Sequence, residues 1–171
     1  MNKMFKKKDG FTLLEIIAVL IVMGILAVVA VSRSLNYDAE VYSGADTLKM
    51  HLRYAQTLAM NSNPNAGVST VWGISCNGAN AYWLFQGTDP AANFIRLPDD
   101  EKYINAGDRT INLGEKKISV SGFTVLFDNR GIPYSPDSAT RLADNLPITV
   151  SPLSGGTNVG VTITPLTGYI P

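Results

Sequence analysis

Between residues 6 and 15 the chain reads Lys6-Lys7-Lys8-Asp9-Gly10-Phe11-Thr12-Leu13-Leu14-Glu15: three consecutive cations, a glycine, and a carboxylate set inside an apolar run. A carboxylate at the lipid-embedded end of a helix costs several kcal/mol unless a partner charge meets it, so Glu15 calls for a cation. The remaining chemical inventory is thin. His51 is the single histidine and Cys76 the single cysteine, which rules out an intramolecular disulfide, a cysteine-based zinc site and a CxxC redox pair.

Other groups carry weaker signals. Asp99-Asp100-Glu101 could hold a calcium ion, but the EF-hand spacing is absent and a solvated acidic turn is the expectation. Asp128-Asn129-Arg130-Gly131 reads as a turn between strands. His51, between Met50 and Leu52, is expected to pack or face solvent rather than catalyse, and Cys76 to be a buried small hydrophobe or inert thiol. Trp72, Tyr82, Trp83 and Phe85 could form a binding platform, yet strand aromatics beside a helix are usually core. No metal ligand and no cofactor site is assigned.

The elements that must position Glu15 are legible. Phe11 to Val31 is apolar but for that one charge, and twenty-one residues at about 1.5 Å each span about 30 Å, the thickness of a bilayer's hydrocarbon core. The lysines ahead of it place the N-terminus in the cytoplasm and the rest of the chain across the membrane. A cleaved secretory signal is the rival, with Ala27 and Ala30 as its small residues, but the apolar run continues directly into a helical pattern. Leu35, Tyr37, Ala39, Val41, Ala45, Leu48, Leu52, Ala55, Leu58 and Ala59 recur at amphipathic-helix spacings. No proline interrupts the chain from residue 11 until Pro64, and Asn61-Ser62-Asn63-Pro64-Asn65 is a stop, so one helix of about fifty residues is predicted.

Beyond the stop, short runs divided by Gly, Pro, Asn and Asp predict a β-rich head. Strands are expected at Val68–Ser75, Ala81–Gln86, Asn93–Leu97, Arg109–Leu113, Ile118–Val120, Thr124–Phe127, Ile148–Pro152 and Val159–Thr164. Residues 135–147 read as loop, and Ser154-Gly155-Gly156-Thr157-Asn158 as a hairpin turn.

Composition bounds the function. A chain of 171 residues, 46% hydrophobic and 16% charged, holds one ordinary domain and excludes a large multidomain enzyme. Formal charge cancels, but residues 1–10 carry four lysines against one aspartate, a net of +3, leaving ten basic against thirteen acidic residues in the remainder. That leaves no basic field for nucleic acid.

The leader, the Gly10–Phe11 junction and Glu15 together resemble the class III signal sequence of type IV pilins and type II secretion pseudopilins. That resemblance implies a prepilin peptidase cut between Gly10 and Phe11, N-methylation of Phe11 as the new first residue, and Glu15 as the family's glutamate at the fifth mature position, paired with a neighbouring subunit's amino terminus. Ser32 stands where many pilins carry a proline, which leaves a helix kink there open. The paired cysteines of many adhesive pilins are missing, and that absence points towards pseudopilins or minor subunits. The motifs Val71-Trp72-Gly73, Tyr82-Trp83-Leu84-Phe85, Leu126 through Pro133 and Ile163 through Ile170 are similar to GspH/FimT-type minor pseudopilins.

The expectation is therefore an α+β, pilin-like protein without enzymatic activity. Residues 1–10 would be the leader, 11–31 the membrane and filament-core half of the helix, 32–63 the half packing on the head, and 64–171 the β-rich head. The implied partners are prepilin peptidase, other pilin or pseudopilin subunits, the inner-membrane assembly platform, and the bilayer before assembly, with the head periplasmic. The alternatives are a permanently anchored periplasmic binding module and a minor pilin acting in DNA uptake, the latter weakened because only Arg141 is basic from residue 135 onward.

Overall fold

The computed structural model describes residues 12–65, 70–78, 80–136 and 140–171, with backbone alone for residues 32–38. Helix α1 runs from Leu13 to Met60. Thr12 starts it: its hydroxyl accepts the Glu15 amide at 3.2 Å, and its carbonyl accepts the amides of Glu15 and Ile16. Thr12-x-x-Glu15 is the capping-box pattern, and it places an acid in the first turn, where the helix dipole favours one. Helical backbone continues through residue 32, where no proline intervenes. The end falls where Asn61 turns its side-chain amide back onto the Thr57 carbonyl at 2.9 Å and Pro64 supplies no donor.

The chain divides into two compact units, one ending at Asn36 and the other beginning at Tyr37. In the first, Leu13–Val31 is a nineteen-residue stretch of mean hydropathy 3.0 with none of it buried, long and apolar enough to cross a membrane.

In the second unit, Val41, Ala45, Leu48, Leu52, Ala55 and Ala59 of α1 are fully buried at alternating spacings of four and three. Of the face expected from the sequence, Leu58 is half-buried and Ala39 is exposed, while the side chains of Leu35 and Tyr37 lie outside the described residues. Nine strands are present among the described residues. β1 (Trp72–Cys76), β2 (Ala81–Gln86), β3 (Phe94–Ile95), β4 (Ile111–Asn112), β6 (Phe123–Phe127) and β7 (Pro133–Tyr134) form one sheet in the order β3-β2-β1-β6-β7, with β4 also paired to β2. β5 (Ile118–Val120), β8 (Leu146–Pro152) and β9 (Val159–Ile163) form a second, in the order β5-β8-β9. Every pairing is antiparallel. Ile74, Leu84, Val125 and Phe127 from the first sheet and Ile118, Val150, Val161 and Ile163 from the second share one core with the helix face. Phe85 and Leu126 are buried on the opposite face of the first sheet, flanking Gly73 in register. A Cβ on Gly73 would sit 2.5 Å from the Phe85 ring and 2.7 Å from the Val125 carbonyl, so that ring packs only over glycine.

The strands depart from expectation for local reasons. β3 and β4 shrink because Asn93 and Arg109 adopt φ of 51° and 61°, which end extended backbone. β1 starts at Trp72 rather than Val68, with residues 68–69 outside the described residues. β8 starts at Leu146, inside the expected loop. Its Pro147 is tolerated because β5 pairs only with Val150, Ser151 and Pro152, leaving the flank of Pro147 opposite β9 open. β7 is an edge strand that its proline concealed. Thr164 leaves β9 because its amide bonds the Tyr169 carbonyl, closing a loop. The 154–158 segment does join the paired strands β8 and β9.

That closing loop is tied to α1. Arg53 Nη2 donates to the Ile170 carbonyl at 2.7 Å, and Gln56 Nε2 donates to the carbonyls of Gly131 at 2.9 Å and Thr167 at 3.2 Å. Gly168 has φ +62°, and a Cβ there would meet Gln56 Nε2 at 2.6 Å and the Gly131 carbonyl at 2.8 Å. Gly168→Ala is expected to cost about 2 kcal/mol from strain and crowding together. A urea midpoint unchanged from the parent protein would show that the loop does not need this approach.

Candidate assembly site

Glu15 sits in the third helical position of α1, on a surface where Leu13 and Leu14 are 77% and 80% exposed. With Ile16, Val19 and Leu20 it lines a shallow recess of about 280 Å³ that is otherwise apolar. Among the described residues, none of the ion pairs involves Glu15. Its backbone is capped by Thr12, so the helix is complete locally while the carboxylate faces outward. An apolar helix carrying one carboxylate near its start can bury itself in lipid or against other helices, and in either setting the carboxylate needs a cation. Gly24 has open space around it, which admits close approach of another helix. Gly10 and Phe11, expected to flank the processed bond, lie outside the described residues.

The head groups singled out in the sequence are used structurally. Asp99 is not solvated: its side chain and that of Lys116 are 9% and 10% exposed, with Nζ 2.8 Å from Oδ2. Glu101 pairs with Arg96. No three potential ligands among His, Cys, Asp and Glu gather to hold a metal among the described residues. Asp128 Oδ1 accepts the amides of Arg130 and Ile132 at 2.9 and 2.8 Å, forming the expected turn, with Gly131 at φ +76°. Burial pushes the Cys76 thiol up, and its Sγ donates to the Val120 carbonyl, so it is a poor nucleophile. Tyr82 and Phe85 are core. Trp72 and Trp83 are only half-buried, their indole N–H groups donating to Ser62 Oγ at 2.8 Å and the Pro90 carbonyl at 2.7 Å.

His51 is fully buried, with Nδ1 2.8 Å from the Tyr82 hydroxyl and Nε2 3.2 Å from the Pro98 carbonyl. Sequence reasoning missed this contact, the buried Lys116, and the reach of Gln56. It also passed over the Thr12 cap, although Thr12-x-x-Glu15 is a local motif. The others pair residues far apart in the chain and leave no local signal.

Comparison with known proteins adds two findings. Residues 5–31 match the family model for the prokaryotic N-terminal methylation motif, which covers the end of the expected leader and the apolar half of α1. Over 137 residues the chain is 29% identical to the pilin-like protein PilA1 of Thermus thermophilus, spanning 78% of this chain and 84% of that protein. No solved structure matches the chain significantly.

Proposed function

We infer that this chain, which belongs to the type IV pilin family, is a structural subunit that is cut between Gly10 and Phe11, methylated at Phe11, and built into a filament through its N-terminal helix. The observation that carries this reading is the wholly exposed apolar stretch Leu13–Val31, bearing the carboxylate of Glu15 and lying within the methylation-motif match. In this reading the stretch lies in the inner membrane before assembly and against neighbouring helices afterwards, and Glu15 pairs with the amino terminus of the next subunit. The head lies in the periplasm, and prepilin peptidase and the inner-membrane assembly platform act on the chain in turn. A minor or pseudopilin role, of the GspH/FimT type, is supported by the missing cysteine pair and the head motifs. The chain acts as substrate and building block, with no reaction of its own.

Mass spectrometry of membranes and sheared filaments from the native host tests this. A chain beginning at methylated Phe11 in filaments, at low ratio to the major subunit, is the expected result. Residues 1–10 still attached, with the protein confined to membranes, would leave a permanently anchored module instead.

A further inference from the structure

An open groove of about 820 Å³ runs along α1 beside Glu40, Ser43 and Thr47, and its other wall is formed by Asp99, Tyr103 and Lys116. The loop carrying Asp99 and Tyr103 is tied down at its start by His51. A carbonyl only accepts, so the Pro98 carbonyl requires the proton on His51 Nε2, and Nδ1 must then accept from the Tyr82 hydroxyl. Neutral His51 thus satisfies α1, β2 and the loop together. Protonation would place a second N–H opposite the Tyr82 hydroxyl proton. That hydroxyl, itself buried, would have to turn its proton away from the imidazole into the core.

We propose that His51 is an acid-sensitive latch: neutral, it joins the 97–104 loop to α1 and β2; protonated, it keeps its Nε2–H on the Pro98 carbonyl but can no longer accept from the Tyr82 hydroxyl, so acid favours an opened loop in which the imidazolium is hydrated and the groove is wider. The charged and titratable groups around it come from each packed element. Asp99 in the loop favours the imidazolium, Lys116 in the turn before β5 opposes it, Tyr82 of β2 touches it, and Cys76 of β1 lies beyond Tyr82. Burial dominates and lowers the His51 pKa from its ordinary 6.5, with the Pro98 carbonyl and Asp99 pushing back. The open loop therefore binds the proton more tightly than the closed one. The latch is intact above about pH 6.5 and weakens as pH falls below it towards the lowered value. The other anchors of the wall, Lys116 with Asp99 and Lys116 over the Tyr103 ring, are ionic as well, so acid does not strengthen them.

His51 is the single histidine of the chain, so its ring gives one set of resonances in the full-length protein in detergent micelles. The expected nitrogen shifts report the proton on Nε2 and a titration midpoint below 6.5. Hydrogen exchange of residues 97–104, corrected for intrinsic rate, should accelerate by up to about tenfold per pH unit as pH falls from 6.5 to the observed His51 midpoint and level off below it, while the 81–86 strand holds. His51→Gln keeps a donor for Pro98 and an acceptor for Tyr82 but takes no proton, so its loop should exchange alike at pH 7.5 and 5.0. A proton on Nδ1, a midpoint at or above 6.5, or acid loosening of the glutamine variant equal to the parent's would overturn the latch. If the variant does not fold, loop exchange in the parent protein that shows no acceleration between pH 6.5 and the observed His51 midpoint does so equally.

Discussion

Glu15→Ala is expected to leave cleavage and methylation intact while removing the chain from sheared filaments. An apolar helix bundle that receives an amino terminus without its carboxylate partner holds an uncompensated buried charge, at a cost of a few kcal/mol. Incorporation should therefore fall about a hundredfold, read by immunoblot of sheared and membrane fractions. Glu15 has a second, local role that must be separated from this one. It occupies the third helical position of a Thr12-capped helix, where glutamate and glutamine serve equally. Glu15→Gln therefore keeps the cap and loses the charge. Failure of both variants locates the effect in charge pairing, whereas assembly of Glu15→Gln at the parent level would assign Glu15 to helix capping and remove the pairing model.

The second large effect is expected in the head. Asp99→Ala removes the carboxylate partner of Lys116, whose side chain is nine-tenths buried, and leaves the Tyr103 ring 3.9 Å away as its remaining described contact. Losing one member of a buried pair costs about 3 kcal/mol, which for a chain of this size lowers the melting temperature by about 10 °C. The pair itself is not optimally made: Oδ2 is buried and close to Nζ but outside hydrogen-bonding angles. Replacing both residues, Asp99→Leu with Lys116→Met, should thus recover most of the loss. A double variant no more stable than Asp99→Ala alone would show that the pair is worth far more than its geometry indicates.

Much of the fold was legible because its signals are local. The amphipathic period of residues 41–59 needs only the chain's own neighbours to be read, and the same holds for the Asn61–Asn65 stop and the hairpin at 154–158. The candidate site was legible for the same reason, since Glu15 is conspicuous only against the apolar residues on either side of it. The failures have one character. Pro133 and Pro147 read as breakers because proline's cost in a strand depends on whether that flank is paired, and pairing is set by strand order. Asp99 read as solvated because its partner Lys116 is seventeen residues away, across β4.

By itself, then, the sequence determined the helix and its two ends, the apolar stretch with its one carboxylate, and where most strands lie, because propensity and periodicity act over a few residues. Only the tertiary structure decided that β1 sits between β2 and β6, that Gln56 reaches across to Gly131 and Thr167, and that His51 joins helix, sheet and loop. The side-chain contacts among these join residues from 31 to 111 positions apart. They exist because burying one shared core brings distant polar groups out of water together, where each must find a partner.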